Sequence, residues 1–207
     1  MLNRRHLIAA AGALTAPGVL AACASTPSVT GREMTVATFN IWHDMGDWPT
    51  RRPMVFRELA ALDADVIGLQ EVLQDEGLPN QAEDIARELG GYDVHFVSID
   101  PPGQARRYGN AVLSRLPVLA RDEMKLRPLD DSRTAAHVRV DLGGRPLDLY
   151  NTHLHWRQEG GAIRAQQIAD LLNFIDRRPD EAPSLVIGDM NAVIAWPEFQ
   201  PLLARYD

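Results

Sequence analysis

Polar side chains of a kind used in catalysis follow four strand-like segments, at the point where each segment ends. They are Asn40, Glu71, Asn151 with His153, and Asp189 with Asn191. These residues are far apart along the chain, so only folding could bring them together. If the strand ends share one rim of the fold, the rim carries two carboxylates, several amides and an imidazole above an apolar core.

Such a set of side chains favours a particular ion and a particular reaction. Oxygen-rich ligation without cysteine suits a hard cation such as Mg²⁺ or Mn²⁺. Mg²⁺ is bound through one or two carboxylates, keeps several waters and leaves positions for phosphate oxygens. A carboxylate can then orient water, while neutral donors stabilise the charge that develops on a phosphoryl group. The pattern therefore predicts hydrolysis of a phosphoester.

Each residue also has a structural interpretation. Asn40 could cap a turn, as Asn and Asp often do at strand ends. Glu71 could be the first solvated residue after a buried strand, and either His153 or His155 could be a hydrogen-bonded structural histidine. Arg133 could reach a phosphate, but a surface salt bridge is the simpler interpretation.

Alternation and helical periodicity predict the elements that must position these side chains. Short apolar or alternating runs predict strands at 34–39, 65–69, 92–97, 108–114, 134–142, 145–150 and 185–187. The run 65–69 is nearly all apolar and predicts a strand buried on both faces, and 185–187 likewise predicts a buried strand. Helices are predicted at 52–62, 81–89 and 162–177, with Pro53 in the first turn of the first.

The order of these elements favours one fold class. Strands alternate with helices, but Gly143-Gly144 joins two alternating runs in a hairpin. An antiparallel hairpin within such a series favours a mixed, layered α/β fold over a doubly wound parallel sheet.

The N-terminal residues predict export and lipid attachment. Residues 1–22 have a basic start at Arg4-Arg5 and a short apolar segment, which together predict a signal peptide. Leu20-Ala-Ala-Cys23 resembles a bacterial lipobox, and Cys23 is the only cysteine of the chain. Residues 23–33 would form a flexible tether, so we expect a membrane-anchored lipoprotein facing the periplasm or the cell exterior. The paired arginines leave twin-arginine and general secretory export both open.

Charge limits the range of partners. Residues 1–22 contain two arginines and no acidic residue, so their removal leaves 19 basic and 28 acidic residues, a net charge of −9. A long-range positive field is absent, which argues against tight nonspecific binding of duplex nucleic acid. A nuclease that binds its substrate through a divalent cation is still compatible with this charge.

Five motifs in order carry a family resemblance, namely Thr38-Phe-Asn-Ile41, Gly68-Leu-Gln-Glu71, Gly109-Asn-Ala-Val-Leu-Ser-Arg115, Asn151-Thr-His-Leu154 and Gly188-Asp-Met-Asn191. Together they resemble the endonuclease/exonuclease/phosphatase superfamily, which includes the DNase I-like nucleases. The resemblance runs from residue 34 to residue 207. It implies a four-layered α/β sandwich and a phosphoesterase that depends on a divalent metal.

The resemblance also implies a role for each matching residue. Glu71 corresponds to the main metal ligand, and Asn40 to its neighbour at the metal or phosphate. His153 corresponds to the histidine that donates to the phosphate. Asp189 corresponds to the aspartate that orients the attacking water, and Asn191 to the amide that supports the transition state.

Substrate recognition is less closely specified. Tyr108 and Asn110 match positions that often line the family's substrate cleft. An acidic, tethered chain suits small phosphodiesters or lipid and sugar phosphates, while nucleic acid stays a candidate because the family contains many nucleases. We expect a monomer.

One part of the family pattern is missing. The family ends with an Asp-His pair on a last strand, and no such motif follows Asn191. The chain is therefore expected to be C-terminally incomplete, with its last strands missing, or to have lost part of its machinery. In the second case the alternative function is a non-catalytic lipoprotein that binds a phosphate ligand.

Overall fold

A computed structural model describes residues 33–178 and 182–206, which form two β-sheets flanked by helices. The strands are β1 (Val36–Asn40), β2 (Val66–Gln74), β3 (Asp93–Ser98), β4 (Arg107–Ser114), β5 (Val118–Lys125), β6 (Thr134–Asp141), β7 (Pro146–His153) and β8 (Ser184–Asp189). The helices are α1 (Trp48–Leu62), α2 (Gln81–Leu89), α3 (Gly161–Asp176) and the short α4 (Gln200–Leu203).

Each sheet has four strands. The first has the order β1-β2-β4-β3, with β1 parallel to β2 and the other pairs antiparallel. The second has the order β5-β6-β7-β8, with β7 parallel to β8. The predicted hairpin is present between β6 and β7, closed by a hydrogen bond from the Leu142 N–H to the Arg145 carbonyl.

The side chains of β2 show how alternation builds the layers. Ile67 and Leu69 pack against α1 and α2, whereas Val66 points to the other face and packs against β6 and β7. A third core lies between the second sheet and α3, around Tyr150 and Phe174. The result is helix, sheet, sheet, helix, which is the expected four-layered α/β sandwich.

Local sequence accounts for the helix ends. The Asn80 side chain caps α2 by accepting from the Ala82 and Glu83 N–H groups. Helix α1 begins at Trp48, earlier than predicted, so Pro53 lies inside the helix and not in its first turn. No helix in the described ranges is both long enough and apolar enough to cross a bilayer.

Three strand predictions differ from the structure. Strand β2 does not end at Leu69 but continues to Gln74, so Glu71 lies within the strand. Strand β8 is not buried, because it lies at the sheet edge, paired only with β7 among the described strands, and Leu185 is 38% exposed. Strand β5 was not predicted, because both of its faces are mostly exposed and its sequence is largely charged. The signal peptide and Cys23 lie outside the described residues, as does all of the tether except Glu33.

Candidate active site

A β-bulge in β2 presents Glu71 at the rim of the two sheets. The pairing of β2 with β4 shifts between Leu69 and Val72, and Glu71 has a left-handed φ of 57°. A non-glycine residue in this conformation carries a backbone cost, and such residues concentrate at functional sites. The bulge breaks the alternation of the strand and turns the Glu71 carboxylate toward the end of β8.

Asn40, at the end of β1, holds two carboxylates together. Its Nδ2 donates to Glu71 Oε1 at 3.0 Å and to Asp189 Oδ2 at 2.9 Å, while its Oδ1 accepts from the Trp42 N–H. Two carboxylates separated by 118 positions in the chain therefore share one amide nitrogen. Asn40 meets both carboxylates as a hydrogen-bond donor, and its expected place at the metal or phosphate stays a prediction.

His153, the last residue of β7, also lies next to the two carboxylates. Its Nε2 lies 3.8 Å from Asp189 Oδ2 and 4.0 Å from Glu71 Oε1. Its Nδ1 lies 2.9 Å from Arg133 Nη1. Because a guanidinium can only donate, Nδ1 accepts from Arg133. The Nε2 side of the ring faces Glu71, Asp189 and Asn191.

Burial, together with the nearby positive charge of Arg133, lowers the pKa of His153 to about 4. The ring is thus neutral at neutral pH. Arg133 itself is 8% exposed and lies 3.6 Å from Asp131, so the expectation of a surface salt bridge was wrong. Its Nε atom is buried and has no hydrogen-bond partner in the described part of the chain.

The turn after β8 fixes Asp189 and Asn191 relative to each other. Asp189 Oδ1 accepts from the Asn191 N–H at 3.0 Å, and Asn191 has a left-handed φ of 51°. Asn191 Nδ2 donates to the Leu154 carbonyl and lies 2.7 Å from His153 Nε2. Asp189 and Asn191, two residues apart, therefore flank the histidine from one turn.

Tyr108 lies at the same rim, on β4. Burial, reinforced by the negative charge of Glu71, raises the pKa of Tyr108 to about 12. Its hydroxyl is therefore protonated at neutral pH and can act as a donor. The ring also contacts His43 edge to face, at 5.9 Å between centroids.

Two predicted site residues have other placements. Asn151 is fully buried: its Nδ2 donates to the Leu69 and Ala111 carbonyls, and its Oδ1 accepts from Gln70. It joins the two sheets and does not face the cleft. Asn110 is 3% exposed and donates to Thr134, so it too lies in the sheet interface and not on the expected substrate-lining surface.

Arg51 is a residue whose role the sequence did not indicate. From α1 it donates to the carbonyls of Ile41, Trp42, His43 and Met45. Trp42 and His43 both have positive φ, so this loop has an irregular backbone whose carbonyls need a donor. Arg51 precedes the predicted helix at 52–62, and an arginine there carries no local signal for such a contact.

The donor set fits a divalent cation of the magnesium type. Glu71 and Asp189 place two carboxylates within reach of one amide, and oxygen donors of this number suit Mg²⁺, which keeps several waters. No cluster of three or more His, Cys, Asp or Glu side chains arranged for a metal occurs in residues 33–178 and 182–206. A cation here would thus depend on two carboxylates and on water or substrate oxygens.

Comparison with known proteins agrees with this architecture. A model of the endonuclease/exonuclease/phosphatase family matches residues 37–207. Protein angel homolog 2 of Danio rerio is 30% identical, over 71% of this chain and 28% of its own length. Tyrosyl-DNA phosphodiesterase 2 of Gallus gallus is 26% identical, over 72% and 38%. The chain therefore spans well under half the length of these curated relatives.

Solved structures share the fold. A mannosyl-6-phosphatase from Bacteroides thetaiotaomicron superposes with a TM-score of 0.70 and 18% identity, over 84% of this chain and 71% of that one. An endonuclease/exonuclease/phosphatase family protein from Leptotrichia buccalis superposes with a TM-score of 0.67 and 18% identity, over 84% and 74%. With a family model that matches most of its length and this shared two-sheet architecture, the chain belongs to the endonuclease/exonuclease/phosphatase family.

Proposed function

We propose that this chain hydrolyses phosphoesters with the help of a divalent cation, Mg²⁺ or Mn²⁺. One observation carries the proposal: the Glu71 and Asp189 carboxylates share the Asn40 amide, and His153 Nε2 lies 4.0 Å from Glu71 and 3.8 Å from Asp189. Family membership supports the reaction class. The coordinating groups would be Glu71 and Asp189, and a bound cation would supply neutralisation of the phosphoryl oxygens.

The protein's own groups divide the remaining work. Asp189 accepts hydrogen bonds and can orient a water molecule for attack on phosphorus. His153 places the Nε2 side of its neutral ring where a phosphoryl oxygen would bind, and Tyr108 provides a protonated donor at the rim. Asn191 keeps both groups in register through its contacts with Asp189 and His153. These donors stabilise charge that develops in the transition state.

The test uses two activated substrates, bis(p-nitrophenyl) phosphate as a diester and p-nitrophenyl phosphate as a monoester. We expect release of p-nitrophenol with Mg²⁺ or Mn²⁺, its loss with EDTA, and a loss of about a hundredfold or more in Asp189→Asn. The variant Asp176→Asn, at an exposed acid on α3, serves as the control. Metal-dependent binding of inorganic phosphate without product would support the non-catalytic alternative.

We also propose that the chain is an exported lipoprotein anchored through Cys23. The support is the lipobox-like Leu20-Ala-Ala-Cys23 segment together with the basic and apolar residues before it. The full-length chain expressed in a bacterium should incorporate labelled palmitate and fractionate with membranes. Cys23→Ser should lose both properties, and labelling that persists in this variant would contradict the proposal.

A further inference from the structure

A second cavity opens beside the site, on the far side of Arg133. It has a volume of about 510 Å³, within the range of small-molecule pockets. Trp156, Arg157 and Glu159 line it from the loop after β7, and Asp130 and Asp131 line it from the connection before β6. Neither the family motifs nor the proposed hydrolysis uses these residues.

His155 provides a largely buried hydrogen-bond acceptor in this cavity. Its side chain is 9% exposed, and its Nδ1 lies 2.8 Å from Asp131 Oδ1. Because a carboxylate only accepts, Nδ1 carries the proton and Nε2 of the neutral ring has a free lone pair. Nε2 has no hydrogen-bond partner in the described ranges. Gly160 allows this placement, since a Cβ there would lie 2.0 Å from His155 Cδ2.

The remaining lining favours an uncharged, hydroxyl-bearing ring. Trp156 is 59% exposed, with the Arg157 guanidinium 5.1 Å from its ring centroid, and offers a flat apolar surface at the cavity. Asp130 and Glu159 supply acceptors for hydroxyl groups, and together with Asp131 they would repel a second phosphate. The next phosphate of a nucleic acid strand would therefore be disfavoured here.

Asp131 links this cavity to the site of the proposed reaction. Its Oδ1 meets His155, and its Oδ2 lies 3.6 Å from Arg133 Nε, while Arg133 Nη1 contacts His153. The two places are therefore separated by the width of one arginine side chain. A substrate with its phosphate near His153 could place its next ring in this cavity.

We propose that this cavity is the subsite for the sugar-like ring of a small phosphoester, stacked on Trp156 and hydrogen-bonded to His155 Nε2 and the carboxylates. The inference rests on the proposed function, because it assumes that the phosphate binds near His153. It assigns sugar phosphates as the substrate class in preference to nucleic acid strands.

The test measures binding to the unmodified chain by calorimetry with Mg²⁺, and each sample is assayed for released phosphate. The probes are glucose 6-phosphate, inorganic phosphate and a thymidine dinucleotide. We expect glucose 6-phosphate to bind at least about tenfold more tightly than inorganic phosphate. Trp156→Ala, which removes the stacking surface, and Ala162→Phe, which fills the cavity from α3, should each reduce this ratio to within about twofold and leave phosphate binding unchanged.

Leu119→Ala, at an equally exposed apolar residue on β5, is the control and should leave the ratio unchanged. Equal affinity for the two phosphates, no binding of either, or a ratio that neither variant changes would overturn the proposal. Tighter binding of the dinucleotide that depends on Trp156 would overturn it in favour of nucleic acid. Absence of hydrolysis with the expected binding pattern would refute the phosphoesterase proposal alone.

Discussion

Arg133 Nη1 lies 2.9 Å from His153 Nδ1 and donates a hydrogen bond that holds the imidazole at the rim. A guanidinium cannot accept a hydrogen bond, so Nδ1 is the acceptor and Nε2 faces Glu71 and Asp189. The same positive charge acts with burial to lower the pKa of His153. Arg133 is therefore a positioning residue for a neutral imidazole.

The first prediction concerns Arg133→Met, which keeps much of the aliphatic side chain and removes the donor. Without a donor at Nδ1 the ring loses the hydrogen bond that holds its orientation beside Glu71 and Asp189. We expect kcat to fall by about ten- to a hundredfold with little change in KM, measured with bis(p-nitrophenyl) phosphate. Arg133→Lys, which restores a donor, should recover part of the loss.

A matched control for Arg133 is Arg121→Met, because Arg121 pairs with Asp93 on the exposed face of β5. Its kcat should equal that of the unmodified chain. An Arg133→Met protein that folds normally by circular dichroism and keeps full kcat would show that the arginine does not act through His153.

The second prediction concerns the packing of the two sheets at Gly68. An added Cβ there would lie 2.7 Å from Ile187 Cδ1 and 2.9 Å from Asn151 Oδ1. Asn151 is tied to Leu69, Ala111 and Gln70, so it cannot move freely. We expect Gly68→Ala to lower the free energy of unfolding by about 1–3 kcal/mol, measured by urea denaturation.

Gly161→Ala is the control for Gly68, because a Cβ at Gly161 would meet only the Glu198 carboxylate, at 3.3 Å. Its free energy of unfolding should change by no more than about 0.5 kcal/mol. If both glycine variants had the same stability, the steric account of the sheet interface would be wrong.

The third prediction concerns acid sensitivity at His137, which is fully buried between β6 and α3. Its Nε2 faces Asp148 at 2.6 Å, and its Nδ1 faces the Arg178 guanidinium at 2.7 Å. Burial, with the charge of Arg178, lowers the pKa of His137 in the folded chain. Below about pH 6.5, the ordinary pKa of histidine, the unfolded chain therefore protonates His137 more readily than the folded chain does.

The stability that His137 contributes is present above pH 6.5 and is lost as the pH falls below it. The slope for one proton approaches about 1.4 kcal/mol per pH unit. We expect the free energy of unfolding to fall between pH 7 and pH 5, and His137→Gln to show a smaller slope over this interval. Equal slopes in the two proteins, measured by urea denaturation, would contradict this assignment.

The sequence predicted the site better than it predicted the roles of individual residues. Strand ends are visible in the chain, so Asn40, Glu71, His153 and Asp189 were found, and the structure brings them together. Asn151 belongs to the same kind of motif, yet it points into the sheet interface. Asn151 and His153 are two residues apart and share one face of β7, so position along the strand makes the difference: His153 ends the strand at the rim, and Asn151 lies deeper, between the sheets.

The remaining differences come from contacts that are distant in sequence. In the sequence Arg133 cannot be told from a surface arginine, because its contacts with His153 and Asp131 form only in the folded chain. The bulge at Glu71 depends on the pairing of β2 with β4, which no local pattern in β2 reveals. Within the described sheets strand β5 pairs with β6 alone, and its exposed residues give no apolar alternation.

We propose that Glu71 and Asp189 bind the divalent cation that supports phosphoester hydrolysis. This is tested by kcat/KM for bis(p-nitrophenyl) phosphate as a function of Mg²⁺ in Glu71→Gln, with Glu123→Gln on β5 as the control. We expect a loss of at least about a hundredfold in Glu71→Gln, weaker activation by Mg²⁺ and no change in the control. A folded Glu71→Gln protein with unchanged kcat/KM and the same response to Mg²⁺ would contradict it.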